Sequence, residues 1–364
     1  MTFAAFIRFK LVFVFISCIY ISIAVAQSPG VKKLHLLDAV LTETSGLIYT
    51  NNMLLSHTDS GGEPCLYEIN IHDGHILNTY CYNTIHNYDW EDIATDGNAI
   101  YIGDFGNNSG SRNPLKIYRI ALDDIGNPEA TIDSISFRFA DQEDYTPMFR
   151  KTDYDCEALF AAGGRLYVFT KNWNNKKTKM YSIPANPGDY SAEPILELDV
   201  NGLITGAAFN SNTQVLALIA YEKTFPFNPL MFLIRFSGNF DHIINYSRIT
   251  LQINNMQTEG ITWADDHTLL ITNESFLKTK SHLMKSDLNT CTLLPFIKDS
   301  LPDPEKLLET GYNFNLTISD KNGNKVFQGK LRKFYRNQDQ WLGVKKPARI
   351  EWHAQKASGW FMWQ

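Results

Sequence analysis

Polar and apolar positions alternate along this chain in short runs rather than recurring every three or four residues, and the runs repeat. Five segments share one pattern: TSGLIYTNNMLLSHTDSGG from Thr44, WEDIATDGNAIYIGDFGNN from Trp90, CEALFAAGGRLYVFTKNW from Cys156, ITGAAFNSNTQVLALIAYE from Ile204 and TEGITWADDHTLLITNES from Thr258. Each reads as a short strand, a tight turn and a second apolar strand ending in polar residues, which is the hairpin signature. A third strand follows at Leu66–Ile69, Ile117–Ile120, Met180–Ile183, Met231–Ile234 and His282–Lys285. A fourth, more variable strand completes most units, as at Ile132–Phe139 and Ile195–Val200.

Ser45, Glu91, Glu157, Thr205 and Glu259 hold equivalent places in the five segments, at spacings of 46, 66, 48 and 54 residues. Four-stranded units of that size are propeller blades. The expected fold is therefore all-β, a five-bladed β-propeller over residues 27–300. A six-bladed ring is the alternative if part of 291–340 builds another blade. The apolar strand at 34–41 has no blade of its own and would pair into the last one, closing the ring and removing an exposed edge. Pro302-Asp-Pro304 reads as a linker to a small, basic, β-rich C-terminal module over 301–364, with strands at Phe314–Ser319, Val326–Leu331 and Ala348–Trp352.

The composition, 44% apolar and 20% charged over 364 residues, excludes a disordered chain and a polytopic membrane protein. Arg8 and Lys10 precede the apolar run Leu11–Ile23, and Ala24-Val25-Ala26 follows. Residues 1–26 read as a secretory signal, with an uncleaved anchor as the alternative, so the expected location is secreted, periplasmic or cell-surface, with no membrane span after cleavage. Without the signal, residues 27–300 carry 20 bases against 33 acids, and 301–364 carry 11 against 6. An acidic body argues against nucleic acid, which needs a basic footprint, and suits cations. Cys65 and Cys81 lie nearly opposite across a hairpin turning at Asp73-Gly74 and can pair in an oxidising compartment. Cys156 and Cys291 have no obvious partners, and no zinc-binding spacing occurs.

In each hairpin the start of the first strand and the end of the second straddle the turn. Ser45 then faces Asp59, Glu91 faces Asp104, Glu157 faces Lys171, Thr205 faces Tyr221 and Glu259 faces Asn273, all on one rim. First strands line a propeller's channel, so three carboxylates and two hydroxyls converge at one mouth. Crowded glutamates call for a cation, and an all-oxygen set with flexible geometry suits Ca2+. The plainer alternative is that these residues merely start strands. Around them, Asp59, Asp104, Asn108, Lys171, Tyr221, Asn273 and Glu274 form a mixed-charge rim for a small polar or phosphorylated ligand, with Asp59 or Asp104 as general base.

The order hydroxyl, Glu, Glu, hydroxyl, Glu at the strand starts Ser45-Gly-Leu, Trp90-Glu-Asp, Cys156-Glu-Ala, Ile204-Thr-Gly and Thr258-Glu-Gly resembles the soluble calcium-activated nucleotidases (apyrases) over residues 43–290. The resemblance implies that Ser45, Glu91, Glu157, Thr205 and Glu259 hold calcium and that Asp59 stands beside a scissile phosphate. The chain departs from that family at Thr58-Asp59, where the family has two acids, and at Lys171-Asn172, where it has two arginines. The strings Asp59–Gly62 (DSGG), Asp89–Ile93 (DWEDI), Gly103–Asn108 (GDFGNN) and Asp155–Leu159 (DCEAL) resemble secreted bacterial propellers of unassigned function. NLTISDKNGNKVFQGKL, from Asn315, resembles the sorting modules of type IX-secreted bacterial proteins. The functional expectation is a secreted calcium-binding propeller that hydrolyses phosphate esters or anhydrides. The alternative is a non-catalytic binding or scaffold propeller with a structural calcium.

Overall fold

A computed structural model describes residues 30–288, except 237, 239 and 254, and the backbone of four strands within 312–362. The signal segment, the Pro302–Pro304 linker and Cys291 lie outside the described residues. The first strand is β1 (Val31–Leu36). Unit 1 holds β2 (Thr44–Thr50), β3 (Met53–Thr58), β4 (Cys65–Ile69) and β5 (Ile76–Cys81). Unit 2 holds β6 (Trp90–Thr95), β7 (Ala99–Asp104), β8 (Leu115–Ala121) and β9 (Ile132–Phe139). Unit 3 holds β10 (Cys156–Ala162), β11 (Arg165–Thr170), β12 (Thr178–Pro184) and β13 (Gly188–Leu198). Unit 4 holds β14 (Leu203–Asn210), β15 (Val215–Tyr221), β16 (Pro229–Phe236) and β17 (Ile243–Thr250), and unit 5 holds β18 (Thr258–Trp263), β19 (Thr268–Asn273) and β20 (His282–Asp287).

Within each unit successive strands pair antiparallel, and β1 completes unit 5 by pairing with β20. The closing strand runs over 31–36 rather than 34–41, because Ala39–Glu43 is a 3-10 turn. The inner strands β2, β6, β10, β14 and β18 touch in cyclic order, with β18 returning to β2. That ring makes the fold a β-propeller. The first half of β13 also pairs in parallel with β9, so the outer edges of units 2 and 3 are stitched into one eight-stranded sheet. Residues 312–362 contribute a separate four-stranded sheet in the order β22 (Lys325–Lys330), β21 (Tyr312–Ser319), β23 (Arg349–Lys356) and β24 (Gly359–Met362).

Sheets facing each other on both sides need apolar residues on both faces. The all-buried run VLALIAY of β15 meets that need. Five apolar clusters fill the five spaces between neighbouring units; Trp90, Ile102 and Tyr118 meet Leu55 and Leu66 between units 1 and 2. Burying each such side chain is worth about 1.5–3 kcal/mol. Cys65 and Cys81 face each other across β4 and β5 and form a disulfide, while Cys156 is buried and free.

All five inner hairpins have a register irregularity at the same place: between Thr44 and Leu47, Trp90 and Asp92, Cys156 and Ala158, Ile204 and Gly206, and Thr258 and Ile261. Each irregularity contains one of Ser45, Glu91, Glu157, Thr205 and Glu259. A bulge leaves its extra residue out of the ladder and re-aims the side chain. The side-by-side pairing expected from equal distance to the turn is therefore displaced: Asp104 stands opposite Trp90, Asn273 opposite Thr258 and Tyr221 opposite Leu203. The shared rim survives, because every first strand starts and every second strand ends at that rim.

Just below the rim the inner strands close on one another. A Cβ on Gly260 would lie 2.5 Å from the Ser45 carbonyl of the next unit, so that position admits only glycine. Asp92 is fully buried and its carboxylate accepts N–H groups from Ile93 (2.9 Å), Leu159 (2.7 Å) and Ala207 (3.1 Å), tying units 2, 3 and 4.

Candidate functional site: an acidic channel mouth

Two of the five inner-strand positions are spent partly on the backbone. The Ser45 hydroxyl donates to the Glu91 carbonyl, and the Thr205 hydroxyl donates to the Thr258 carbonyl at 2.6 Å. Each joins one inner strand to the next around the ring. The three glutamates are buried and face a common space: Glu157 shares a hydrogen bond with Glu91 and feels the charge of Glu259. Burial pushes all three carboxyls well above the ordinary range, and nearby acids add to it: Asp59 and Glu157 for Glu91, Asp155 and Glu259 for Glu157, and Glu274 and Asp59 for Glu259.

One cation already serves part of this ring. Lys171 is buried at the end of the second strand of unit 3, and its ammonium sits 3.0 Å from Glu157. The rings of Trp173 and Tyr221 flank it, with centroids at 5.3 and 5.6 Å. Glu157, Tyr221 and Glu259 together hold its pKa well above that of a free lysine, against the opposing effect of burial. Lys171 therefore neutralises the Glu157 and Glu259 side of the mouth.

Among the described residues the other side has no buried ammonium of its own, although the Lys171 charge also lowers Asp59 and Glu91. Carboxylate oxygens of Asp59, Asp89 and Glu91 lie within 4.8 Å of one another. Asp59 follows β3, Asp89 precedes β6, and Glu91 occupies the β6 bulge. Asp89 is pushed up to about 7, mainly by burial and then by the Asp59 charge, although Arg112 at 3.9 Å pulls the other way. Burial likewise raises Asp59. The backbone of Gly106 presses on this group so closely that a Cβ there would run into the Glu91 and Asp89 carboxylates. An all-oxygen, partly open, acid-rich cradle fits a hard divalent ion of flexible coordination such as Ca2+.

The remaining rim residues fall into distinct environments. Asp104 is buried; it accepts Arg112 at 2.8 Å and the Asp89 N–H at 3.2 Å, so its carboxylate is committed to holding the Asp89 loop. Asn108 contributes its carbonyl to the Arg150 N–H at 2.8 Å. Asn273 is buried and bonds the Glu274 and Lys280 carbonyls and the His282 N–H, which orders its own loop. Glu274 accepts Gln257 at 3.2 Å and is pushed up to about 7 by burial and the Asp59 charge. Tyr221 is buried and forms a wall beside Lys171, its hydroxyl shifted upward by burial.

Asp89 was not among the expected ligands, although it lies two residues before Glu91 in the DWED string and that spacing was the available signal. Arg150 and Trp173 also stand at this end of the ring. Among the described residues, seven of the eight exposed large apolar side chains belong to this end as well: Leu36, Val40, Tyr88, Met148, Phe149, Phe225 and Leu277, with Leu77 the exception.

No family model matches the chain and no curated protein matches it. Similar solved structures include a glucose dehydrogenase, 11% identical with a TM-score of 0.43 over 71% of this chain and 99% of that one. Another is the soluble aldose sugar dehydrogenase of Escherichia coli in its apo form, 10% identical, TM-score 0.40, over 70% and 98%. A third is MPT-4, a mannose phosphorylase from Leishmania mexicana in complex with phosphate ion, 12% identical, TM-score 0.42, over 72% and 88%. Likenesses at this level carry no argument about what the present chain binds or does.

Proposed function

We propose that this chain is a secreted Ca2+-binding β-propeller whose channel mouth carries out metal-assisted hydrolysis of a phosphate ester or anhydride. The observation that supports it most is the meeting of Asp59, Asp89 and Glu91 within 4.8 Å, beside a ring whose other half is already neutralised by Lys171. Asp59, Asp89 and Glu91 would hold the ion, with Glu157 and Glu259 completing the negative field behind them. Bound calcium supplies charge neutralisation to phosphoryl oxygens. Asp59 is half-buried at the open side of the mouth, where its carboxylate can orient water and take its proton. Gly106 and the Asp104–Arg112 pair fix the Asp89 carboxylate in place. The Cys65–Cys81 disulfide supports an oxidising, extracytoplasmic location.

A second reading, a scaffold with a structural ion, draws on one observation. The three acids come from two neighbouring units, so an ion there would rivet unit 1 to unit 2. Phosphate release from p-nitrophenyl phosphate and nucleoside diphosphates, with calcium and with chelator, separates the two. Turnover that needs calcium and drops about a hundredfold or more in Asp59→Asn supports the hydrolase. Stabilisation by calcium without turnover of either compound supports the scaffold.

A further inference from the structure

Arg150 is a charged side chain without an acceptor among the described residues. It is exposed on the segment between β9 and β10, and among the described residues its guanidinium makes no hydrogen bond or ion pair. It is nevertheless placed. The guanidinium carbon lies 5.0 Å from the centroid of Trp173 and 5.1 Å from that of the exposed Phe149. The backbone beneath it is anchored to the end of the GDFGNN string and the residue after it: the Met148 N–H donates to the Ser109 carbonyl at 2.9 Å and the Arg150 N–H to the Asn108 carbonyl at 2.8 Å. Arg150 holds a left-handed φ of 54°, uncommon for a residue with a side chain.

The platform is rigid. Trp173 is buried, and its indole N–H donates to Asp155 at 2.7 Å. Three cations gather on this one ring: Arg150, Lys171 at 5.3 Å and Lys223 at 5.5 Å, the last also donating to the Trp173 carbonyl at 2.7 Å. Of the three, only Arg150 has its whole donor set unengaged. The mouth therefore carries the Asp59, Asp89 and Glu91 carboxylates from units 1 and 2 and, over unit 3, a stacked guanidinium, with Glu157 there already paired to Lys171. Among the described residues, Glu274 is an acid whose pKa the Arg150 charge lowers, against the larger effects of burial and Asp59.

We infer that Arg150, stacked on Trp173, is the arm that grips the phosphoryl group of a ligand whose other oxygens face an ion held by Asp59, Asp89 and Glu91. The inference rests on the proposed calcium site and adds the residue that recognises the substrate class. A guanidinium presents parallel N–H donors that match phosphoryl oxygens two at a time, and the ring beneath holds it in that orientation. Phe149 offers an apolar surface next to it for the remainder of the ligand. Because Glu274 and the three acids repel an anion, binding requires the ion to be present first.

The test is calorimetric titration of the full chain with phenylphosphonate, which mimics a phosphate ester and is not hydrolysed, with calcium and with chelator. Benzoate serves as the carboxylate control, and calcium affinity is measured separately. Wild type should bind phenylphosphonate only with calcium and in preference to benzoate. Arg150→Gln should weaken that binding about tenfold or more, with Arg150→Lys recovering only part, since a lysine lacks the fork. Calcium affinity should stay within about twofold in both variants, because Arg150 touches none of the proposed ligands. Equal phenylphosphonate binding by wild type and Arg150→Gln overturns the inference, as does no binding by calcium-loaded wild type. Arg150-dependent binding that ignores calcium would retain the arm and overturn the ion site instead.

Discussion

Removing one acid from the cluster should improve the ion-free protein and impair its response to calcium, a pairing that an ordinary structural mutation does not produce. Asp89→Asn is the suitable change, since it keeps the shape while removing the charge. At 4.8 Å, two like charges repel by about 0.9 kcal/mol in water and about 3.5 kcal/mol at an effective dielectric of 20. Asp89 is partly open to solvent and the substitution also gives up the attraction to Arg112 at 3.9 Å, so the lower part of that range applies, about 1–2 kcal/mol. The raised pKa of about 7 means that the full repulsion is felt only above neutrality, so pH 8 is the condition to use. In chelator, Asp89→Asn should then melt about 2–5 °C above wild type. At calcium a hundred times its dissociation constant, wild type gains about 2.7 kcal/mol, and a variant binding tenfold more weakly gains about 1.4 kcal/mol. The gap between the two proteins should therefore close as calcium is added. A variant that melts below wild type in chelator, or that gains as much from calcium, refutes the reasoning.

Three further outcomes follow from particular residues. His57 is buried and its pKa is lowered to about 4, mainly by burial, against about 6.5 when unfolded. The unfolded chain therefore takes up a proton first, and this group removes up to about 3 kcal/mol of stability as pH falls from 6.5 to 4. Urea unfolding of wild type and His57→Gln across that window should show the difference narrowing at low pH; parallel curves would contradict it. Asp92→Ala leaves the Ile93, Leu159 and Ala207 amides without an acceptor and should cost about 3–6 kcal/mol in urea unfolding; a loss under 1 kcal/mol would sink the tie between units 2, 3 and 4. Opening the Cys65–Cys81 disulfide, which closes 16 residues of sequence, should cost about 3 kcal/mol, while Cys156 stays unreactive to alkylation until the protein unfolds. Stability unchanged by reductant, or rapid native labelling of Cys156, would contradict these two expectations respectively.

The hairpin grammar made the propeller legible because each unit repeats the same alternation of buried and turn residues, and each has to bury both faces against its neighbours. The return of an N-terminal strand to unit 5 was legible for the same reason: an apolar run without its own unit needs an edge. The bulges were not legible. One extra residue in a strand looks the same in sequence as one more residue of alternation, so the pairings of Asp104, Tyr221 and Asn273 came out displaced. The convergence of Glu91, Glu157 and Glu259 followed from the rim argument and tolerates that error, since a bulge turns a side chain without moving it to the other end. Asp89 and Arg150 lie in connections outside the repeat, where no periodicity points to them. That Lys171 would be consumed by Glu157 depends on the depth of its side chain, which a register cannot give.

The account depends most on whether a hard cation occupies the Asp59, Asp89 and Glu91 half of the mouth, which Lys171 influences by its charge while its ion pair is made with Glu157. Calorimetric titration of chelator-treated protein with calcium chloride at pH 8 tests this directly, comparing wild type with Glu91→Gln. One ion per chain in wild type, with binding weakened about tenfold or more once the Glu91 charge is gone, is the predicted result. Heat of dilution alone in wild type, or identical isotherms for the two proteins, would contradict it.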